Sequence, residues 1–425
     1  MLARVRLPGG LVDAVQLQVL AGLADEFGDG RVELTSRGNV QLRGLAEYAA
    51  GPLTSELVQA GLLPSLSHDR VRNVLASPLA GLDRGPDLTG IVRALDAALC
   101  ARPRLAELSG RFLFAVDDGR GDVAGLGADA VATVRPNGAV VNGLAVCPGS
   151  RAGTAGGSGP GAADAGSAKS GPAGTRTQDL GSLGAGACGM DTAEGVVDGL
   201  RDRLVAAMLE FAEAFLDLRA EHGGSAWRVA DLPDGADRVR DAVSARLGLV
   251  ALPGLALARH EAGAGTAGRP VGLVTPEQTG GGAESPDSVR ATPGCSVVLL
   301  APVGRLTSAQ VSWVADRLAG HPARITPWRS IVLPGLEDAA GVLREAAGLG
   351  FGTDEGSPWL RVTACAGRPG CASALADVQA DAAGFAARWP GRIVHVSGCG
   401  RHCGRPAATE VDVTATSEGY EVAGV

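Results

Sequence analysis

An α+β fold made of two related halves is predicted by three features of the sequence: its length, an internal repeat and two low-complexity stretches. The 425 residues are enough for two or three domains. Residues 5–45 and residues 300–336 follow the same order: a strand, a glycine-containing turn, an amphipathic helix, and a threonine-led strand ending in Gly-Leu. Each copy is too small to be stable alone, so we expect the two copies to pair and bury each other's apolar faces.

A longer α+β block follows each copy. The first block contains a helix, the strand RFLFAVDD and a hairpin signalled by Asn137 and Gly138, and the second contains a strand, a helix and a second strand. Stretches rich in Gly, Ala and Ser have little to bury, which predicts flexible insertions. The predicted division is a first half-domain at 1–66, a first block at 67–260 with an insertion at about 149–189, a second half-domain at 261–345 with a Gly-rich insertion, and a second block at 346–425.

Composition narrows the class of protein. A hydrophobic content of 45% with 20% charged residues is typical of a globular protein, and no apolar run is long enough to span a bilayer. The N-terminus lacks the apolar core of a signal peptide, so we expect a cytoplasmic location and no membrane contact. The net charge of -8 argues against nucleic-acid binding, which normally needs a basic face.

Four of the eight cysteines are grouped near the C-terminus. The scattered ones, which we interpret as packing residues, are Cys100, Cys147, Cys188 and Cys295. The grouped ones form two pairs, Cys365 with Cys371 and Cys399 with Cys403, with five and three residues between them. Four thiolates from two Gly-rich loops suit a [4Fe-4S] cluster, although a zinc site remains an alternative despite the wide first spacing. Disulfides are disfavoured by the expected compartment.

These cysteines occur in a wider pattern. CAGRPGC is followed by a predicted helix and then by HVSGCGRHC, while the N-terminal part contains RVRLPGG (residues 4–10), TSRGNVQLRG (35–44) and RNVLASP (72–78). Over nearly the whole chain this pattern resembles the sulfite and nitrite reductase superfamily. The resemblance implies a pseudo-twofold duplicated α+β fold, in which ferredoxin-like half-domains alternate with larger α+β domains. It also implies a [4Fe-4S] cluster on the four C-terminal cysteines.

The resemblance further implies a tetrapyrrole site. The residues that it assigns to tetrapyrrole binding are Arg4, Thr35, Arg37, Gln41, Arg43, Arg72 and Arg111. Arg72 and Arg111 would also act at the reacting centre. Leu113, however, stands where the reductases have the second of two lysines. Because a small oxyanion needs convergent positive charge to offset its desolvation, this leucine argues against reduction of sulfite or nitrite.

The motif TSRGNVQLRGL and the chain length are most similar to the precorrin-3B synthase branch of the superfamily. That resemblance implies a monooxygenase of cobalamin biosynthesis, which hydroxylates precorrin-3A at C20 with dioxygen and closes a γ-lactone. Its electrons would come from NADH through a donor protein, and a mononuclear non-haem iron would take part. No pattern of two histidines and a carboxylate identifies the ligands of that iron. Two alternatives remain: a sirohaem-dependent ferredoxin sulfite or nitrite reductase, and a non-catalytic iron-sulfur or zinc protein.

Overall fold

The structure is a computed structural model that describes residues 1–83, 85–135, 138–146, 193–251, 270–276 and 294–424. The predicted insertion at about 149–189 and Asn137 of the predicted hairpin lie outside these residues. Within the described ranges, no helix combines the length and the apolar character needed to cross a membrane.

The described residues form eight α-helices and nineteen strands. The helices are α1 (Ala14–Phe27), α2 (Ala50–Gln59), α3 (Thr89–Cys100), α4 (Ala193–Glu221), α5 (Gly235–Leu247), α6 (Ser308–Ala315), α7 (Ala339–Gly348) and α8 (Val378–Arg388). The strands are β1 (Leu2–Val5), β2 (Leu11–Val12), β3 (Arg31–Leu34), β4 (Val40–Arg43), β5 (Val74–Ala76), β6 (Phe114–Asp117), β7 (Ala130–Arg135), β8 (Gly138–Val141), β9 (Leu144–Val146), β10 (Val250–Ala251), β11 (Gly272–Val274), β12 (Cys295–Leu300), β13 (Arg305–Thr307), β14 (Ala323–Ile325), β15 (Ser330–Leu336), β16 (Val362–Ala364), β17 (Val394–Ser397), β18 (Val411–Thr416) and β19 (Gly419–Ala423).

These strands form four sheets. The two half-domain sheets have the orders β1-β4-β3-β13 and β11-β12-β15-β14-β2 and are antiparallel. The first block forms the six-stranded sheet β10-β9-β8-β7-β6-β5, and the second forms β16-β17-β18-β19. Strands β16, β17 and β18 run parallel, so their carboxyl ends meet at one edge of the sheet.

Each half-domain contributes a strand to the sheet of the other. Strand β13 of the second half pairs with β3, and strand β2 of the first half pairs with β14. Helices α1 and α6 follow these exchanged strands, and each begins with a reciprocal capping box, Asp13 with Gln16 and Thr307 with Gln310. The duplicated α+β fold predicted from the sequence is therefore confirmed.

One apolar core is shared by both half-domains, since buried residues of β1, β3 and β4 pack with those of β12, β14 and β15. A second core lies between the first block's sheet and the helices α3, α4 and α5. Between the half-domains the backbones approach closely: a Cβ at Gly10, where φ is +71°, would lie 2.0 Å from the carbonyl oxygen of Ile325. Only glycine fits this contact, which holds the turn of RVRLPGG against β14.

Candidate functional site

A cavity of about 540 Å³ lies between the first half-domain's sheet and the cysteine loops of the second block. This volume is within the range of roughly 300–1,000 Å³ that is typical of small-molecule and cofactor sites. Among its walls are five residues that the sequence assigned to tetrapyrrole binding, Arg4, Thr35, Arg37, Gln41 and Arg43, and all four predicted cluster cysteines, Cys365, Cys371, Cys399 and Cys403. Side chains more than 300 residues apart in the sequence thus meet at one site.

The antiparallel pairing of β1 with β4 builds the arginine wall. Arg4 is directly opposite Gln41 in this pair, and its guanidinium donates a hydrogen bond of 2.9 Å to the Gln41 amide oxygen. Successive side chains in a strand point to opposite faces, so Gln41 and Arg43 lie on the same face. Both line the cavity.

The loop from Thr35 to Asn39 forms the next part of the wall. The backbone N–H of Thr35 donates to the Asn39 carbonyl at 2.9 Å, and the Thr35 hydroxyl accepts hydrogen bonds from the N–H groups of Arg37 and Asn39. The Arg37 guanidinium donates to the carbonyl oxygen of Gly110 at 3.2 Å. This contact ties the loop to the first block and keeps the Arg37 side chain at the cavity.

Seven polar residues of the wall were not predicted from the sequence: Arg6, Glu33, Ser36, Asn39, Arg329, Gln379 and Arg401. Arg6 is two residues after Arg4 and directly follows β1, so continuing the alternation of that strand by one residue could have identified it. Its side chain is only 7% exposed and donates to the Asn73 amide oxygen at 2.6 Å. Two buried nitrogens at this wall, Nε of Arg6 and Nδ2 of Asn39, have no hydrogen-bond partner in the protein. Such donors are typical of a site that receives an acceptor from a ligand.

The cavity is strongly cationic. Six arginines line it: Arg4, Arg6, Arg37, Arg43, Arg329 and Arg401. The carboxylate among the described wall residues, Glu33, is paired with Arg43. Burial, followed by the charge of Arg4, lowers the pKa of Arg6 to about 10. Burial, followed by the charge of Arg228, also lowers the pKa of Arg37. Desolvated and mutually repelling guanidinium groups favour the binding of an anion, because it offsets both costs.

Two loops at one edge of the second block's sheet carry the cysteines. Cys365 directly follows β16 and Cys399 is two residues beyond β17, so the parallel pairing of these strands brings the two loops together. The backbone N–H of Gly398 donates to Sγ of Cys365 at 3.1 Å. A Cβ at Gly398 would lie 2.7 Å from Cβ of Ala374, so glycine is required for this close approach.

The spacing of the four sulfurs differs from that of a zinc site. Tetrahedral coordination with Zn–S bonds of about 2.3 Å brings thiolates to within about 4 Å of one another. Across the described ranges, the one group of three or more potential ligand atoms within 4.8 Å of one another is Asp117, Asp118 and Asp122, which contains no cysteine. The four cysteines therefore line one cavity, but no three of their sulfurs lie within 4.8 Å of one another.

Arg72 was expected to face the reacting centre, but the structure places it elsewhere. It does not line the main cavity but a smaller one of about 240 Å³, and its guanidinium forms two hydrogen bonds of 2.7 Å with the Asp96 carboxylate. A third bond of 3.0 Å goes to the Leu62 carbonyl oxygen. The side chain is 4% exposed. This ion pair, rather than a ligand, satisfies the arginine.

Arg111 is also outside the main cavity. Its exposed guanidinium lies over the Trp227 ring, 4.1 Å from the ring centroid. Leu113 points into a small apolar cluster with Leu75 and Val131 and is 3% exposed. Neither position of this segment therefore presents a side chain to the cavity.

Within the described ranges, no two histidines and a carboxylate have ligand atoms that all lie within 4.8 Å of one another, the arrangement that the implied mononuclear iron would use. The acidic group contains no histidine, and its Asp117 already accepts hydrogen bonds from the backbone N–H groups of Gly119 and Gly121. His68 is occupied at both ring nitrogens, by serine hydroxyls at Nδ1 and by the Arg102 carbonyl at Nε2. His395 and His402 both lie near Asp412, since His395 is paired with Asp412 between β17 and β18 and Nδ1 of His402 is 3.1 Å from an Asp412 carboxylate oxygen. The ligand atoms of these three residues are not all within 4.8 Å of one another, and we assign no residue to such an iron.

Comparison with known proteins supports the relationships inferred above. Residues 1–60 match the nitrite/sulfite reductase ferredoxin-like half domain family. The chain is 25% identical to precorrin-3B synthase from Sinorhizobium sp, an alignment that covers 99% of this chain and 78% of that protein. It is 34% identical to ferredoxin–nitrite reductase from Synechococcus elongatus over 28% of this chain and 25% of the relative. The match thus spans about a quarter of that reductase.

Among solved structures, the chain is similar to the Mycobacterium tuberculosis NirA protein, with a TM-score of 0.64 and 17% identity over 99% of this chain and 73% of that one. This similarity supports the fold. The family match, the similarity to precorrin-3B synthase over 99% of this chain and the match to ferredoxin–nitrite reductase confirm the resemblance to the sulfite and nitrite reductase superfamily.

The Arg72–Asp96 pair predicts a large effect on stability. Replacing Arg72 with Leu leaves the mostly buried Asp96 carboxylate unpaired, and we expect the free energy of unfolding to fall by about 3–5 kcal/mol. The double variant Arg72→Leu/Asp96→Leu should recover much of this loss. Urea unfolding of the parent and variants measures both effects. Arg111→Leu is the matched control and should cost no more than about 1 kcal/mol. A stability of Arg72→Leu equal to that of the control would show that the ion pair does not hold this arginine.

Proposed function

We propose that this chain, a homologue of precorrin-3B synthase within the sulfite and nitrite reductase superfamily, is an oxidoreductase that binds a tetrapyrrole substrate in the arginine-lined cavity. The proposal rests on one observation: six arginines and four cysteines line the same cavity, and the carboxylate of that cavity, Glu33, is already paired with Arg43. A precorrin carries several acetate and propionate groups. Guanidinium groups bind carboxylates through two parallel hydrogen bonds, so the charge and the hydrogen-bonding geometry of ligand and wall match.

The reaction that we propose is hydroxylation of precorrin-3A at C20, with closure of a γ-lactone from the ring-A acetate. One atom of dioxygen enters the product and the other leaves as water. The two electrons that this requires come from NADH through a donor protein, together with two protons. The full-length similarity to precorrin-3B synthase supports this choice of substrate. We also propose a cytoplasmic location for the chain, in keeping with its thiol-rich site.

Cys365, Cys371, Cys399 and Cys403 would hold a [4Fe-4S] cluster, which supplies single electrons when bound. The protein's own contribution is positioning. Arg37 and Arg43 bind the carboxylates at the edge of the macrocycle, while Arg6 and Asn39 offer buried donors to its polar atoms. Gly398 donates its N–H to Cys365 Sγ and so helps to fix the position of that sulfur.

A sirohaem-dependent reductase of sulfite or nitrite is the second candidate, because 28% of the chain is 34% identical to ferredoxin–nitrite reductase, a higher identity than the 25% to precorrin-3B synthase. In that case the cavity would hold sirohaem as a cofactor. Two placements argue against it: Arg72 is committed to Asp96, and Leu113 is buried in an apolar cluster. A non-catalytic iron-sulfur or zinc protein would leave the cationic wall opposite the cysteines without a role.

The reaction has a direct test. Incubation of the reduced, cluster-loaded protein with precorrin-3A under ¹⁸O₂ should give a product that is heavier by one ¹⁸O atom, as measured by mass spectrometry. The same incubation without oxygen is the control and should return the substrate. Purified protein that shows sirohaem absorption and consumes nitrite or sulfite, without converting precorrin-3A, would establish the second candidate instead.

The cluster predicts a selective effect of cysteine substitution. Cys371→Ser and Cys403→Ser should lose the iron and sulfide of the parent, about four of each per chain, and lose activity with them. Cys100→Ser and Cys295→Ser are matched controls, because neither residue lines the cavity. Chemical iron and sulfide analysis measures the outcome. Stoichiometric zinc in the parent, or full activity in a cluster-free variant, would contradict the proposal.

The cationic wall predicts how substitution of Arg37 changes binding. Arg37→Gln removes one charge-assisted carboxylate contact, worth about 1.5–3 kcal/mol, so binding of the tetrapyrrole should weaken roughly ten- to a hundredfold. Fluorescence or absorbance titration with precorrin-3A measures the dissociation constant. Arg111→Gln removes the same charge from outside the cavity and should bind as the parent does. Equal weakening in both variants would indicate a general electrostatic effect rather than a contact at this wall.

A further inference from the structure

Gln379, the second residue of α8, connects the cysteine loop with the half-domains. Its amide oxygen accepts a hydrogen bond of 2.6 Å from Nη1 of Arg305. Its amide nitrogen donates a bond of 3.0 Å to the carbonyl oxygen of Cys365. Because both ends of one amide are used, the side chain fixes the distance between a cysteine of the proposed cluster and the buried Arg305.

Arg305 lies in β13, the strand that the second half-domain contributes to the first sheet. Its side chain is 5% exposed and is paired with the Asp29 carboxylate. Nε of Arg305 is 3.5 Å from a carboxylate oxygen of Glu33. The other oxygen of Glu33 accepts a hydrogen bond from Nε of Arg43, which lines the cavity.

Arg43 contacts the cysteine loop from a second side. A Cβ at Gly370, the residue before Cys371, would lie 3.3 Å from Cδ of Arg43, so this arginine packs against the loop. A continuous set of contacts therefore runs from Arg43 at the cavity through Glu33, Arg305 and Gln379 to Cys365.

The charges within this set balance, because the guanidinium groups of Arg43 and Arg305 face the carboxylates of Asp29 and Glu33. Gln379 adds no charge, so its contribution is geometric. On its other side Cys365 is already held by β17, through a bond of 3.0 Å from its N–H to the Val396 carbonyl. The Gln379 bond is thus what holds this cysteine towards the half-domain wall of the cavity.

We propose that Gln379 is a positioning residue, which holds the Cys365 segment at a fixed place relative to the arginine wall. The proposal rests on the proposed function, because it gives the cluster and the tetrapyrrole a defined separation. An amide is suited to this role, since it can donate to a carbonyl and accept from a guanidinium at the same time.

The test is Gln379→Leu in the full chain, which removes both hydrogen bonds but leaves Arg305 paired with Asp29. We expect hydrogen exchange of the backbone amides of residues 364–371 to become about fivefold faster or more, the equivalent of losing about one net hydrogen bond. In the cluster-loaded protein, iron should be lost to a chelator several-fold faster than from the parent, and the reduction potential of the cluster should shift.

Gln310→Leu is the matched control. Gln310 also bridges two elements with its amide, through bonds from Thr307 N–H and to the Leu349 carbonyl, but it does not line the cavity and has no hydrogen bond to a cysteine. A purely structural loss should lower the stability of both variants and leave exchange at 364–371, iron loss and potential unchanged. If Gln379→Leu matches the parent in these three measurements, the inference is overturned. Failure of the parent to assemble any cluster would overturn the proposed function instead, and the exchange measurement would still decide the role of Gln379.

Discussion

The exchange of strands between the two half-domains is the constraint on which the rest of the structure depends. Because β13 pairs with β3, Arg305 is brought beside Asp29 and Glu33, although about 270 residues separate them in the sequence. Because β2 pairs with β14, the glycine turn of the first half is held against the backbone of the second. Neither half-domain sheet is complete alone, so the two halves must fold as a unit with a single shared core. The positions of the residues that line the cavity therefore depend on that shared core.

The positive charge at the cavity carries a free-energy cost, which the folded protein bears before any ligand binds. Burying a guanidinium without a partner is unfavourable, and the lowered pKa values of Arg6 and Arg37 reflect this cost. The first sheet, the loop between β3 and β4, the loop between β14 and β15 and the cysteine block each contribute arginines to the cationic wall, so no single element carries the whole penalty. A polyanionic ligand would relieve repulsion between all these groups at once. The charge of such a site favours a multiply charged ligand over a single small anion.

The sequence predicts contacts within motifs better than contacts between them. Arg4, Arg37 and the four cysteines lie in short motifs whose backbone conformation is local, and all line the cavity. Arg72 was also in such a motif, but its partner Asp96 is on α3, and nothing in the local pattern indicates an ion pair over that distance. Arg111 and Leu113 were assigned by position alone, and packing with Trp227 and Leu75 decides where they point. The fold could be predicted because the repeat is visible in the sequence itself. How the blocks are placed relative to one another depends on the strand exchange.

The two repeats also show how a symmetric duplication becomes an asymmetric site. In each, a threonine N–H donates to the carbonyl four residues later at 2.9 Å, and the threonine hydroxyl accepts from the residue two positions on; the threonines are Thr35 and Thr326. The residue after that has a positive φ in both loops, +63° at Gly38 and +61° at Arg329. Glycine adopts this conformation freely, whereas arginine does so at a cost of about 1–3 kcal/mol. The second repeat bears that cost at Arg329 and thereby places a guanidinium on the cavity wall. In the first repeat the guanidinium comes instead from Arg37, the residue before Gly38. The same backbone loop thus supplies a cation from each half of the molecule, at positions that the pseudo-twofold relation alone would not make equivalent.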